Sequence, residues 1–149
     1  MTNSLATTDN IEAFSAYQEV RENLLNIGIE LYEFRPDAKE KTNLMTGELH
    51  RWNSEKPQFG LHAKTMVIDA KISIIGTFNA DPRSAILNTE CNCIIKSETI
   101  AKGILEGMKK EYQSENSWKI KPEFNPDDEV SNYKQVKTWT RKVLPKAIL

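Results

Sequence analysis

Two cysteines and two histidines are all that the 149 residues contain, and both scarcities narrow the chemistry. Cys91 and Cys93 stand two apart in an apolar run, where alternate strand positions face the same way at a separation too long for a mutual disulfide. They read as core thiols of a reducing compartment. Charge of one sign is missing too: 20 Lys and Arg against 21 Asp and Glu leave a net charge of −1, so no global basic field points to nucleic acid. No apolar run is long enough to span a membrane, no signal-peptide pattern opens the chain, and no internal repeat is visible. The length allows one domain with a real core.

Almost every residue able to carry chemistry lies in one stretch, Gly60 to Glu90. Leu61 to Ile68 is rich in β-formers, and Ile72 to Ile75 is a second such run after the polar break Asp69-Ala70-Lys71, which predicts a β-hairpin. His62 and Lys64 then share a face with Cα atoms roughly 6.5 to 7 Å apart. A neutral imidazole serves as nucleophile or proton donor near neutral pH, and an ammonium offers compact positive charge to phosphate oxygens. Gly76 permits a tight bend or close approach, Thr77 and Asn79 add short hydrogen-bonding groups, and Glu90 opens another β-rich run, Thr89 to Ile95. A carboxylate at that place suits fixing the tautomer of a histidine.

The spacing H-x-K-x-x-x-x-D at His62, Lys64 and Asp69, followed by G-[ST]-x-N at Gly76, Thr77 and Asn79, resembles the HKD signature of the phospholipase D superfamily. The run Gly76-Thr77-Phe78-Asn79-Ala80-Asp81-Pro82-Arg83-Ser84, continued by Asn88-Thr89-Glu90, is most similar to the cardiolipin synthase branch, where G-S-x-N-x-D-x-R-S leads to N-x-E. Thr77 stands where serine is commoner and keeps the hydroxyl. The resemblance implies an α/β fold, a mixed β-sheet flanked by helices, of which this chain is a single HKD half. It implies that His62, Lys64, Asp69, Asn79 and Glu90 are catalytic and that Thr77, Arg83 and Ser84 bind substrate, with no metal ion and no cofactor. Read from the residues alone, Asp69 also suits a cap of the hairpin turn. Asp81 with Arg83 also suits a plain ion pair of little energetic weight, and the resemblance favours a loop-organising role near the site.

In chain order, Thr2-Asn3-Ser4-Leu5-Ala6-Thr7-Thr8-Asp9 resembles the T-N-S-L-x-x-T-D that ends a strand in the second half of cardiolipin synthase-like proteins. That strand lies upstream in the family and only Met1 occupies its place, so the chain is expected to lack its first strand and to start partway through a domain. Asp9 and Glu12 have the spacing of an N-cap and its reciprocal partner; Ile11, Phe14, Tyr17, Leu24 and Leu25 line one side of a helix, and Gly28 ends it. Phe14 and Ala16 stand where the family commonly has histidine and glycine. Ile29 to Phe34 alternates as a strand. Arg35 to Gln58, polar and punctuated by Pro36, Gly47 and Pro57, reads as a long loop, and its Lys39, Lys41, His50, Arg51 and Trp52 suit either a lipid headgroup or nucleic acid, or plain solvation. Ser97 is placed to cap a helix to Gln113 whose Ile100, Ile104, Leu105, Met108 and Tyr112 form a core-facing stripe. Trp118 to Lys121 is a short strand and Pro122 to Pro126 a connector. From Asp127 onward helical spacing puts Tyr133, Val136, Trp139 and Val143 on one side and Lys134, Lys137, Arg141 and Lys142 on another. That arrangement suits an anionic membrane surface with Trp139 at the boundary, or docking of the apolar side on the body of the protein. Trp139 to Leu149 is also similar to the tail of cardiolipin synthase-like chains. Residues 1–121 are thus expected to form the HKD half-domain, and residues 122–149 a connector and C-terminal amphipathic basic helix.

The resemblance implies a reaction in which a neutral histidine attacks phosphorus, an alcohol leaves, and water or an acceptor alcohol resolves the phosphohistidine. The leaving alkoxide needs a proton from a second histidine, while Lys64 and Asn79 are suited to stabilise the equatorial oxygens. One HKD copy is present where the chemistry asks for two. The expected partners are therefore a phospholipid substrate, a homodimer mate or N-terminal HKD half, and a membrane surface reached through residues 133–149; no nucleic-acid partner is expected. His62 alone suits either nucleophile or acid; its resemblance to the C-terminal copy points to the proton donor, with Glu90 orienting it or the histidine of the other half. The expected activity is a phospholipase D-like phosphodiesterase or phosphatidyltransferase in the bacterial cytoplasm or peripheral at the inner membrane. Two other readings stay open, a catalytically silent fragment that binds a membrane or partner, and an HKD endonuclease.

Overall fold

The computed structural model describes residues 1–41 and 60–141. In chain order its elements are β1 (Thr2–Asn3), α1 (Ile11–Asn26), β2 (Tyr32–Phe34), β3 (Thr65–Ile68), β4 (Ile72–Gly76), α2 (Pro82–Ile86), β5 (Asn92–Lys96), α3 (Glu98–Glu111), β6 (Ser117–Lys119), a 3-10 turn (Pro126–Glu129) and α4 (Asn132–Arg141). Strands and helices mix as expected, but in two three-stranded sheets rather than one. The described residues fall into two compact units, one built from 1–41, 60–61 and 111–141, the other from 62–110.

In the first unit β2 is central. It pairs in parallel with β1, Thr2 opposite Glu33 and Asn3 opposite Phe34, and antiparallel with β6, Phe34 opposite Ser117. Thr2 and Asn3 thus form a two-residue strand at the place where the resemblance puts the end of one. Helix α1 is capped by Asn10 rather than Asp9: Asn10 is extended, and its Oδ1 accepts the Ala13 amide at 2.9 Å. A cap must reach the amide three residues on, and Asp9 is one position too early. Gly28 (φ +89°) closes the helix. Ile29 N donates to Leu24 O at 3.0 Å and Gly28 N to Leu25 O at 2.9 Å, the paired bonds of a Schellman motif. With the Ile29 amide so used, the following strand begins at Tyr32 and not at Ile29. Leu5, Phe14, Phe34 and Ile120 are buried around this sheet.

Glu33 is buried in the same unit, at 0% exposure. Tyr17 Oη donates to its Oε1 at 2.9 Å, and Arg21 Nη1 reaches the same oxygen at 3.0 Å. Arg21 Nη2 continues to Asp127 Oδ2 at 2.8 Å, which also accepts from Gln18 Nε2 at 2.8 Å. One guanidinium thus ties β2 to the 3-10 turn, the fork geometry that suits arginine to two acceptors. Helix α4 starts at Asn132, after that turn, not at Asp127. It rests on α1 by its polar side: Thr138 is buried, Lys134 Nζ donates to Thr8 O at 3.1 Å, and Arg141 Nε lies 3.1 Å from Glu12 Oε1.

In the second unit β4 is central and antiparallel to both neighbours, Ile74 facing Met66 on one side and Ile94 on the other. The hairpin turn at Asp69-Ala70 has φ of +51° and +53° and closes through Lys71 N to Ile68 O at 3.0 Å. Three residues, Asp69 to Lys71, thus connect the paired ends Ile68 and Ile72, the first two of them left-handed. Ser97 caps α3, its Oγ accepting from Ile100 N at 3.4 Å. Of the stripe expected to face a core, Ile104, Leu105 and Met108 are half-buried and Ile100 is exposed, while Ala101 is the fully buried position. Cys91 and Cys93 correct the core-thiol expectation: both are free and exposed, on a segment whose residues 91–94 are all exposed, so that no core covers it. Among the described residues no helix is long and apolar enough to cross a membrane.

Candidate active site at one end of the second sheet

Strand β3 begins at Thr65, so His62 and Lys64 precede it rather than lie in it. Gly76 N still donates to Lys64 O at 3.2 Å, which carries the β3–β4 pairing one residue further and keeps the segment extended. The two side chains converge. Lys64 Nζ stands 2.7 Å from His62 Nδ1 and 3.0 Å from His62 O. With Nζ as the donor, Nδ1 accepts and the neutral ring carries its proton at Nε2; this tautomer is assigned from the hydrogen bond. Burial lowers the Lys64 pKa, outweighing the attraction of Glu90 and Asp81. The ammonium is thus flanked by two carboxylates yet partly stripped of water.

Where β4 ends, Gly76 faces Asn92 of β5. A Cβ at Gly76 would stand 2.3 Å from Cys91 O and 2.8 Å from Asn92 Cα, so glycine is demanded by the neighbouring strand, not by a ligand. Thr77 then locks to the same strand: Thr77 N donates to Cys91 O and Cys91 N to Thr77 Oγ1, each at 3.0 Å. Its hydroxyl donates to Glu90 Oε2 at 2.5 Å, and Asn88 Nδ2 to Glu90 Oε1 at 3.2 Å. The Thr77 hydrogen bond, with others from Ser84 and Asn88 and the charge of Lys64, holds the Glu90 carboxyl below its ordinary pKa. Glu90 is therefore kept ionised beside the lysine.

Asp81 caps α2, its Oδ1 accepting from Ser84 N at 2.7 Å with Pro82 in the first turn. It makes no ion pair with Arg83, whose Nε instead donates to Asn88 Oδ1 at 3.3 Å. Ser84 is buried and its Oγ accepts from Asn79 N at 3.3 Å; this hydroxyl organises the loop. Asn79 is half-buried and Arg83 exposed. His62, Lys64, Thr77, Asn79, Arg83, Ser84 and Glu90 thus share the strand end where β4 leaves the sheet. Asp69 does not. It sits in the hairpin turn, with the four residues of β3 between it and Lys64, roughly 16 Å along the strand.

The Asp81 cap was readable as Asp-Pro with Ser three residues on. The bridge of Asn88 between Arg83 and Glu90 carries no such signal, because it depends on the fold of the turn after α2. Of the loop cations, Lys39 pairs with Glu115 at 3.0 Å and Lys41 Nζ donates to Pro36 O at 3.3 Å. His50, Arg51 and Trp52 lie outside the described residues, as do Lys142, Val143 and the rest of the tail. Among the described residues no three His, Cys, Asp or Glu side chains are grouped to hold a metal ion.

A family model described as "Cardiolipin synthase, PLD-like domain" matches residues 1–112. The chain belongs to this family. Cardiolipin synthase C of Escherichia coli (strain K12) is 37% identical over 121 residues, 81% of this chain and 24% of that protein. An uncharacterized protein of Helicobacter pylori (strain J99) is 33% identical over 120 residues, 80% of this chain and 22% of its own. The major cardiolipin synthase ClsA of Bacillus subtilis (strain 168) is 45% identical over 51 residues, 34% of this chain and 11% of that enzyme. The chain thus spans a quarter or less of the length of these relatives. No solved structure gives a significant match. The PLD-like cardiolipin synthase domain accounts for both the HKD stretch and the mixed α/β architecture.

Proposed function

We propose that this PLD-like domain acts on the phosphodiester of a phospholipid, as a phosphodiesterase or phosphatidyltransferase of the cardiolipin synthase type, with His62 at the reacting centre. Residues 1–121 form the HKD half, and 122–149 the connector and basic helix. The observation that carries the reading is the 2.7 Å approach of Lys64 Nζ to His62 Nδ1. It joins an imidazole and a cation on one side of an extended segment, where an anionic phosphoryl group is attracted and its ring partner is already oriented. As an imidazolium His62 gives a proton to the leaving oxygen and returns to the neutral ring, and the attack on phosphorus falls to a histidine from a second HKD motif, carried by a homodimer mate or an N-terminal half. Attack forms the nitrogen–phosphorus bond as the phosphorus–oxygen bond breaks. Water or an acceptor alcohol then displaces the histidine, giving phosphatidic acid or a new diester.

Lys64 and Asn79 stabilise the charge on phosphorus oxygens. Glu90, held by Thr77 and Asn88, keeps Lys64 protonated against the burial that disfavours it. Arg83, exposed beside Asn88, is suited to meet the substrate phosphate, Ser84 shapes the loop, and Asp69 serves the turn. The domain works in the cytoplasm or at the inner membrane of a bacterium.

The test is a phosphodiesterase and transphosphatidylation assay over a range of chain concentrations, with and without a separately expressed N-terminal HKD half. Specific activity is expected to rise with concentration or on adding that half, and His62→Ala to abolish it. Turnover by a demonstrated monomer, or a His62→Ala variant as active as the parent, overturns the reading.

A further inference from the structure

Helix α4 docks on α1 with the wrong side for an ordinary amphipathic helix. Thr138 is turned inward at 1% exposure, while Tyr133, Val136 and Trp139 point outward at 79%, 60% and 67%. At 100° per residue these three share an arc of about 120°. A helix stabilised by its own domain buries such a stripe. Here the polar side is already engaged, through Lys134 to Thr8 O and Arg141 to Glu12, so the exposed stripe is not a helix waiting to turn over. Charge points the same way. From Asn132 to the C-terminus the chain carries five Lys and Arg and no Asp or Glu, although its net charge is −1.

We propose that this side of α4 is the docking surface for an anionic phospholipid bilayer. Trp139 and Tyr133 have the apolar body and polar tip that settle at the headgroup boundary, Val136 lies between them, and the flanking cation Lys137 meets lipid phosphates. A bilayer suits the stripe better than a protein does. Three side chains on a helix about 15 Å long fall well short of the 20 to 30 residues a side of a stable protein interface, whereas aromatic insertion and cationic attraction add up on a lipid surface. The surface belongs to the first unit and does not depend on the HKD chemistry, so it stands or falls separately from it.

The full chain is to be sedimented with vesicles of phosphatidylglycerol mixed with phosphatidylcholine and, in parallel, with pure phosphatidylcholine vesicles. The phosphatidylglycerol vesicles are expected to retain it, less so at high salt. The variant Tyr133→Ser/Val136→Ser/Trp139→Ser should lose about tenfold or more of the affinity, and Lys137→Glu should lose the preference for phosphatidylglycerol. Unchanged thermal unfolding shows that substitution at the exposed Tyr133, Val136 and Trp139 and at the half-buried Lys137 leaves the fold intact, and His62→Ala should bind vesicles as the parent does, separating docking from headgroup capture at the site. Failure of the parent chain to bind phosphatidylglycerol vesicles overturns the proposal, as does a triple variant that binds equally well. Self-association abolished by the triple variant, without vesicle binding, assigns the stripe to a second copy instead.

Discussion

At Glu33 two effects oppose each other. Burial pushes its pKa up, while Arg21 and Tyr17 pull it down, and burial prevails. A carboxyl that holds its proton more tightly when folded stabilises the fold fully below the ordinary value of 4.5. That contribution is lost as pH rises through the raised value, because the folded state then gives up a proton it had kept. Glu33→Gln removes the titration. Its stability relative to the parent should therefore improve steadily as pH rises from about 4.5, read from urea unfolding at several pH values; a flat or reversed trend shows that the Arg21 pairing wins. At the site the balance differs. Lys64 is lowered by burial, which disfavours its charge, and Glu90 is lowered by the Thr77 hydroxyl, which favours its ionised form, so the two shifts act oppositely on the charge of the pair. Thr77 in place of the commoner serine has a branched Cβ, which narrows the rotamers open to the hydroxyl that meets Glu90.

The β3–β4 hairpin and helix α1 make opposite use of left-handed backbone. Ala70 sits at φ +53° with a Cβ that this region penalises, and Gly28 sits at φ +89° with none. Ala70→Gly should stabilise by about 1 kcal/mol and raise Tm by about 2–4 °C. Gly28→Ala should destabilise by about 1 kcal/mol. Thermal unfolding of both variants checks the signs, and equal effects in the same direction would contradict the assignment. These elements also mark what was legible in the sequence. The hairpin, the Gly28 stop and the Ser97 cap follow from local turn and capping chemistry, and each stands at its expected place. The Asn10 cap, the shortened β2 and the two-residue β1 were not legible, because each is set by competition for a backbone amide or by pairing with a strand remote in sequence. At the site the gathering of residues around His62 followed from the motif. The attachment of Glu90 to Thr77 and the burial of Ser84 arise from how the chain folds back around α2, and no spacing encodes that.

Across the whole molecule, two thiols stand exposed, Cys91 just before β5 and Cys93 within it. Both Cys91 and Cys93 should therefore react with a thiol-titrating reagent in the native chain, giving two equivalents per chain before any denaturant is added. Fewer than two would place one of them back in a core. The backbone of Cys91 also holds Thr77, and through it Glu90, so a bulky adduct there reports on the strand end that carries the candidate site. One further consequence follows from how the first unit is assembled. Its central strand β2 and its edge strand β6 are separated in sequence by the entire second unit, and the hydrogen bond from Arg21 to Asp127 spans 106 positions. Bringing such distant partners together costs loop-closure entropy, whereas β3, β4 and β5 join through neighbouring connections. On an emerging nascent chain, the second unit can therefore organise while the first still waits for its last strand. Arg21, which holds the buried Glu33 carboxyl, acquires its second acceptor only once Asp127 has emerged, and until β6 follows β2 out the ribosome is carrying an open sheet.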